Sequence, residues 1–261
     1  LTPFSKIKMD IISRVNDLLE AADDFCLATV ISSVNEKLPL GSKSIILDNG
    51  SLENGCGIKD LDDLISGFGQ QVLEKKKKQM VEVKEGITIF FDIIGRQANL
   101  IICGAGHIGV PLAKFAVSLG FVVTVIDDRP DFANPDRFDH CNVIANDFIE
   151  TLQSINIDKS SYVVLITRGH EHDKDCLAQV LPCETAYVGM IGSRRRIRLV
   201  LEQLSQEGFS DERLHGVFSP IGIPIGAETP EEIALAIAAE LVTVRRLGAE
   251  RTRSLRNAIL T

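Results

Sequence analysis

No two of the six cysteines, Cys26, Cys56, Cys103, Cys141, Cys176 and Cys183, form a C-x-x-C pair. Without such pairs neither a structural zinc site nor the disulfide framework of a small secreted domain is suggested, and reduced thiols are the default. Long apolar runs are missing too. Phe121 to Ile126 and Tyr162 to Thr167 are among the longest, far below the roughly 20 residues that a membrane-spanning helix needs. The stretch LTPFSKIKMD has no apolar signal core, so a cytoplasmic protein that does not enter a membrane is expected. There is also no excess of basic residues. A formal net charge of −8 disfavours non-specific nucleic-acid binding but leaves a local basic cluster free to hold a small anion. Repeats and low-complexity tracts are absent, and 261 residues at 45% hydrophobic and 25% charged content describe a globular chain with room for two domains.

The most informative segment that is present is LIICGAGHIGVPLAKFAVSLGFVVTVIDD, Leu100 to Asp128. An apolar run breaks into glycines, a helix pattern follows, and a second apolar run ends in an acid, which is the front half of a dinucleotide-binding βαβ unit. Gly104 permits a tight turn, Gly106 lets a phosphate approach the backbone, and Gly109 lets the helix pack closely on the sheet. With His107 between them, the free N–H groups at the helix start face an anion. Asp127 stands where a ribose hydroxyl would be read. Equally, the loop suits any phosphate, and Asp127 is a common kind of polar strand ending.

The chain divides near residue 97. Residues 1–96 read as a small α+β domain, with helices over Met9 to Ala22 and Leu61 to Lys77 and β-like runs at Phe25 to Ser32, Ser44 to Leu47 and Ile87 to Ile93. Residues 97–261 alternate strands and helices as in a Rossmann-like, doubly wound parallel sheet. Its strands fall at Asn99 to Cys103, Val122 to Asp127, Asn142 to Ile144, Tyr162 to Ile166 and Ala186 to Met190, in the expected order 3-2-1-4-5. Helices are expected at His107 to Leu119, Phe148 to Ser154, His172 to Leu181, Arg194 to Glu207 and Pro230 to Arg246, the last opened by the capping signal Thr229-Pro230-Glu231-Glu232.

Ligands of such sheets sit beyond the carboxyl ends of the strands, where strand order reverses. Three loops converge there: the glycine loop, Arg168-Gly169-His170-Glu171-His172-Asp173, and Gly192-Ser193-Arg194-Arg195-Arg196. Guanidinium groups at a helix N-terminus oppose the helix dipole unless an anion is present, so the arginine run reads as phosphate recognition or as a solvated basic patch. His170 and His172 have residue types suited to metal ligation, general acid/base work or capping, with no second cluster to complete a metal site. An apolar, Gly- and Pro-rich run, Ser219 to Glu228, reads as an ordered loop closing over the same cleft. Cys56, in the flexible turn NGCG, is either an incidental thiol or a reactive one.

Taken in order, GAGHIG, VIDDRPDFA, LITRGHEHD, YVGMIGSRRR and PIGIPIGAETPEEIALAIAAELV resemble the XdhC/CoxI family of accessory proteins for xanthine dehydrogenase and related molybdenum hydroxylases. The resemblance implies a chaperone that binds molybdenum cofactor (molybdopterin), assists its sulfuration with a partner cysteine desulfurase, and delivers it to a hydroxylase of the xanthine dehydrogenase type. It also implies a homodimer and thiol chemistry at Cys56. In the first half only Leu40-Gly41-Ser42-Lys43 and Asn54-Gly55-Cys56-Gly57 correspond to the family's pattern. Two other readings compete with this one: an NAD(P)-dependent oxidoreductase, from the glycine loop and Asp127, and a nucleotide-sensing domain without chemistry.

Overall fold

In residues 25–94 apolar side chains recur at every second position and again along one helix stripe, which gives an antiparallel sheet with a helix on one face. The computed structural model describes residues 10–21, 23–168 and 170–260 of the chain, which forms two units, residues 1–96 and 97–261. In the first unit a helix α1 (Ile11–Glu20) precedes β1 (Phe25–Ser32), β2 (Lys43–Leu47), β3 (Leu52–Glu53), α2 (Lys59–Lys75), β4 (Gln79–Lys84) and β5 (Ile87–Ile94). The strands are ordered β3-β2-β1-β5-β4 and pair antiparallel. Cys26, Ala28 and Val30 of β1 and Ile87, Ile89 and Phe91 of β5 point to one face, where α2 buries Leu61, Ile65, Val72 and Leu73. Phe25 and Ile45 point to the other, under Leu18 of α1. Neither β3 nor β4 was expected. The first is two residues long, and the second buries only Val83 among polar neighbours, so its hydrophobic signal is weak.

The second unit runs β6 (Asn99–Cys103), α3 (Gly109–Ser118), β7 (Val122–Asp127), a 3-10 turn (Pro135–Arg137), β8 (Asn142–Ala145), α4 (Phe148–Ser154), β9 (Ser161–Leu165), α5 (His170–Val180), β10 (Tyr187–Met190), α6 (Arg194–Gln206), α7 (Asp211–His215), α8 (Pro230–Leu247) and α9 (Ala249–Leu260). Its strands are parallel in the order β10-β9-β6-β7-β8. Counted within the unit this is the expected 3-2-1-4-5 order, and the α/β, Rossmann-like class read from the sequence is the one observed. Successive residues of β6 face opposite ways. Leu100 and Ile102 join α3 and α8 through Leu112, Ala116, Ile237 and Leu241, while Ile101 and Cys103 join α4, α5 and α6 through Phe148, Leu177 and Val200. Each such aliphatic or aromatic side chain contributes roughly 1.5–3 kcal/mol when fully buried.

The Nη1 of Arg245, near the end of α8, donates to the carbonyl of Leu119 at the end of α3 (3.0 Å). The two helices therefore meet C-terminal end to C-terminal end, and the loop feeding α8 arrives at the end of the unit where the glycine loop lies. The segment entering that loop also closes the open edge of β10: the Met190 N–H donates to the Phe218 carbonyl, the Phe218 N–H donates to the Val188 carbonyl, and Ile221 donates to the Met190 carbonyl. Helix α5 begins at His170, two residues before the expected start. Helices α7 and α9 were not anticipated.

Candidate functional site

The three glycines of the first loop do three different jobs. Gly104 has φ +126°, and a Cβ there would lie 2.5 Å from the Ile166 carbonyl oxygen, so both conformation and space require glycine. A Cβ at Gly109 would overlap the Gly104 carbonyl oxygen, fixing how closely α3 approaches the turn. Gly106 has no heavy atom within 4 Å of the Cβ position; the space above it is open. No side chain caps the N-terminus of α3, which leaves its first N–H groups to the dipole end facing that space, with His107 exposed beside them.

Asp127 supports this loop from beneath. Its side chain is 1% exposed. One carboxylate oxygen accepts from the backbone N–H of Arg129 (3.1 Å) and from its Nε (2.8 Å), the other from the backbone N–H of Ala105 (2.8 Å) and Arg129 Nη2 (2.9 Å). Four donors therefore fill the roughly four lone-pair sites that a carboxylate offers. The Arg129 guanidinium stacks 3.7 Å over the Phe132 ring, and Arg137 ties the same turn to the loop by donating to the carbonyls of Phe132 (2.6 Å) and Ala105 (3.1 Å). Burial by itself would raise the Asp127 carboxyl, but the bonds from Arg129 and Ala105 outweigh it and hold the group below the ordinary aspartate range. A depressed carboxylate contributes stability above its unfolded value and loses it as pH falls through the folded one. Asp127→Asn should therefore destabilise the unit at pH 7, with the gap to wild type closing below the ordinary aspartate range. Denaturation curves at several pH values check this; an equal gap at pH 3 and pH 7 would contradict it.

The other two loops are tied to each other and across the sheet. Arg168, after β9, donates to Asp128, after β7, at 2.7 Å; because β6 lies between those strands, the pair spans the end of the central strand. Asp173, fully buried in the first turns of α5, accepts from Thr167 Oγ1 at 2.5 Å and from Arg196 of α6. Burial pushes its carboxyl above the ordinary range, against the pull of Thr167 and Arg196. Ser193 caps α6 by accepting from the Arg196 N–H at 3.3 Å. Of the three arginines, Arg196 is thus engaged internally, whereas Arg194 and Arg195 are exposed and have no ion-pair partner among the described residues. The His172 ring lies 5.6 Å from that of Phe148. His170 opens α5; Gly169 and the side chain of His170 lie outside the described residues, as does any contact they make. Gly192 ends the turn after β10.

Behind the loop before α8 sits a second buried carboxylate. Glu240 is 0% exposed; it accepts from the Tyr187 hydroxyl (2.6 Å) and the Gly222 N–H (2.9 Å), with Arg256 Nη1 3.1 Å from its other oxygen. Burial raises both the Tyr187 phenol and the Glu240 carboxyl. This network fastens the 219–228 loop to β10, α8 and α9.

Cys56 belongs to the first unit. Its Sγ lies 3.1 Å from Asp62 Oδ1, while its backbone N–H and that of Gly57 donate to the two Asp62 oxygens at 2.8 and 3.0 Å. Burial, then the Asp62 hydrogen bond, raise the thiol above its ordinary value, which opposes thiolate formation near neutral pH. Asp62→Asn should speed alkylation of Cys56 by iodoacetamide at pH 7.5; unchanged or slower labelling would show that Asp62 does not restrain the thiol. Among the described residues no group of three or more His, Cys, Asp or Glu side chains could hold a metal ion, and no helix is long and apolar enough to cross a membrane.

A five-stranded parallel sheet of doubly wound order, whose switch point carries an uncapped helix start over an open glycine, defines a Rossmann-like unit. More specifically, the family profile of the XdhC Rossmann domain matches residues 100–241, over half of the chain, and the chain belongs to that family. Three curated relatives are similar to it. The uncharacterized protein YqeB of Escherichia coli (strain K12) is 25% identical over 91% of the chain and 46% of its own length. A protein of Bacillus subtilis (strain 168) named as a probable xanthine dehydrogenase subunit is 30% identical over 60% of the chain and 46% of its own length. The molybdenum cofactor insertion chaperone PaoD of E. coli (strain K12) is 28% identical over 38% and 31%. The chain thus spans about half the length or less of these relatives. Among solved structures, a protein of Bacillus halodurans described as a xanthine dehydrogenase is similar over 96% of the chain and 71% of its own, with 25% identity and a TM-score of 0.64.

Proposed function

We propose that the chain is an accessory factor that binds molybdenum cofactor and passes it to a molybdenum hydroxylase of the xanthine dehydrogenase type. The observation that carries this reading is the open space over Gly106 at the uncapped start of α3, which fits the phosphate of a molybdopterin. The backbone N–H groups of Gly106, His107 and Gly109 would hold that phosphate, Gly104 would set the turn, and Arg194 and Arg195 would add charge-assisted bonds. When bound, the cofactor supplies the oxygen-transfer and redox chemistry of the hydroxylase; the chain's own residues bind it, orient it and shield it from water. Arg168 and the 219–228 loop border the same end of the sheet and would limit water access. The names of the relatives support the cofactor and the recipient, a xanthine dehydrogenase subunit in one case and a cofactor insertion chaperone in another. A cysteine desulfurase and a second copy of the chain belong to the same reading as further partners.

The raised Cys56 thiol gives no support to nucleophilic sulfur chemistry at that residue. Nor does Asp127 favour an NAD(P)-dependent oxidoreductase, because a carboxylate with four donors has no lone pair left for a ribose diol. The test is the ligand retained when the protein is purified from cells that make molybdenum cofactor. Release of the fluorescent oxidation product of a pterin is expected. Recovery of NAD(P) without pterin would overturn the reading in favour of the oxidoreductase.

A further inference from the structure

Beyond the outer edge of β10, α6, α7 and α9 line an open cavity of about 740 Å³, within the range of roughly 300–1,000 Å³ typical of small-molecule sites. It contains none of the glycine-loop residues; of the residues described above it shares Arg194, Ser219 and Pro220 at the start of the 219–228 loop, and Arg256 of the Glu240 network. Its lining is mixed: Leu201 and Pro220 present apolar surface, while Leu214, Val217 and Phe218 lie almost fully buried behind it. Four arginines, Arg194, Arg198, Arg253 and Arg256, also line it, against two carboxylates, Glu202 and Asp211. In a chain with a formal net charge of −8 such a concentration of positive charge focuses a local field for anions.

The guanidinium groups differ in how they are held. Arg253 donates to the Gly216 carbonyl at 2.5 Å and lies 4.4 Å over the Phe218 ring. Arg256 donates to the Pro220 carbonyl and pairs with the buried Glu240, so its charge is already balanced. These two are fixed in place, and each keeps N–H donors beyond those already used. Arg194 and Arg198 stand one turn apart on α6; Arg194 is unpaired among the described residues, and Arg198 meets Glu202 only at 3.9 Å with both side chains exposed, a contact of little energetic weight. The cavity thus offers one fixed cation, Arg253, and two loosely held cations, Arg194 and Arg198.

We propose that this cavity is a second ligand site, separate from the glycine-loop crevice, for a small anion with an apolar body. The apolar body would lie along Leu201 and Pro220, with its sulfonate-, carboxylate- or phosphate-type group between Arg198 and Arg253. The test uses two fluorescent probes with the same apolar body, 8-anilinonaphthalene-1-sulfonate and the uncharged N-phenyl-1-naphthylamine. Wild type should bind the sulfonate at one saturable site, at least tenfold more tightly than the neutral probe. Arg198→Glu and Arg253→Met should each weaken the sulfonate about ten- to hundredfold, the range of one charge-assisted bond, and should largely close the gap between probes. Circular dichroism and thermal melting establish that the variants are folded, and Arg198, exposed on α6, keeps the test informative if Arg253→Met does not fold. Gly106→Val should leave probe binding unchanged. Equal affinity for both probes, equal sulfonate affinity in wild type and Arg198→Glu, or loss of probe binding in Gly106→Val would each overturn the proposal; the last would place the probe in the crevice, independently of whether pterin is retained there.

Discussion

Arg196→Ala should lower the stability of the second unit by about 3 kcal/mol at neutral pH, the lower end of the cost of breaking a buried ion pair, or on the order of 10 °C in Tm for a unit of this size. The reason is Asp173, whose side chain is 0% exposed and whose counter-charge is Arg196, itself 30% exposed. Removing the guanidinium leaves the carboxylate leaning on the Thr167 hydroxyl in surroundings that already raise its pKa by burial. A raised carboxyl contributes stability below its unfolded value and loses it as pH rises through the folded one. The deficit of the variant should therefore shrink toward acid pH as Asp173 takes up a proton. Adding Asp173→Asn to Arg196→Ala should recover part of the loss at pH 7. Denaturant titrations at pH 7 and pH 5 check both statements. A variant as stable as wild type that binds ligand poorly would instead make Arg196 a ligand contact.

Gly106→Val should behave in the opposite way, leaving the fold intact and removing cofactor binding. No heavy atom lies within 4 Å of the Cβ position, and the residue lacks the positive φ that restricts Gly104. The valine side chain would fill the space a phosphate needs. If two charge-assisted N–H contacts are lost at roughly 1.5–3 kcal/mol each, affinity falls at least a hundredfold. Gly104→Val is the informative contrast: with φ +126° and the Ile166 carbonyl 2.5 Å from the new Cβ, it should fail to fold. Melting curves together with equilibrium titration against molybdenum cofactor separate the two. Unchanged affinity in folded Gly106→Val would remove the glycine loop from the site.

Much of this was legible in the sequence because each signal was local. The strands β6 and β7 are mainly apolar runs, the second broken by Thr124 and ended by Asp127, and are buried over most of their length, and the alternation of strand and helix restricts the topology to a doubly wound sheet. The roles of Gly104, Gly106 and Gly109 follow from their spacing. Reading Asp127 as a ribose acceptor overlooked Arg129, only two residues away, which turns back on it. Nor does a run of three arginines declare its inward member, although a signal exists: Arg196 stands four and eight residues before the buried Val200 and Leu204, so it heads the inward stripe while Arg194 and Arg195 fall outside it. By the same reasoning Asp173 precedes Cys176, Leu177 and Val180, all buried. A carboxylate on such a stripe requires a charged or hydrogen-bonding partner, and Arg196, half-buried, is that partner. Glu240 and Tyr187 are 53 residues apart, and no local pattern announces a contact of that kind. Short or mostly polar elements such as β3, β4 and α7 were missed because tertiary packing, rather than periodicity, selects them.

If this XdhC-family chain carries molybdenum cofactor to an apo-hydroxylase, as proposed, the transfer is measurable between the two purified proteins. Wild-type protein purified with its pterin is mixed with apo-hydroxylase of the xanthine dehydrogenase type, and the pterin content of each protein is followed after separation. Pterin is expected to leave the chain and appear in the hydroxylase, and Gly106→Val, purified in the same way, is expected to bring none. Pterin that stays on the chain, or a hydroxylase that fills at the same rate from Gly106→Val as from wild type, would contradict the proposal.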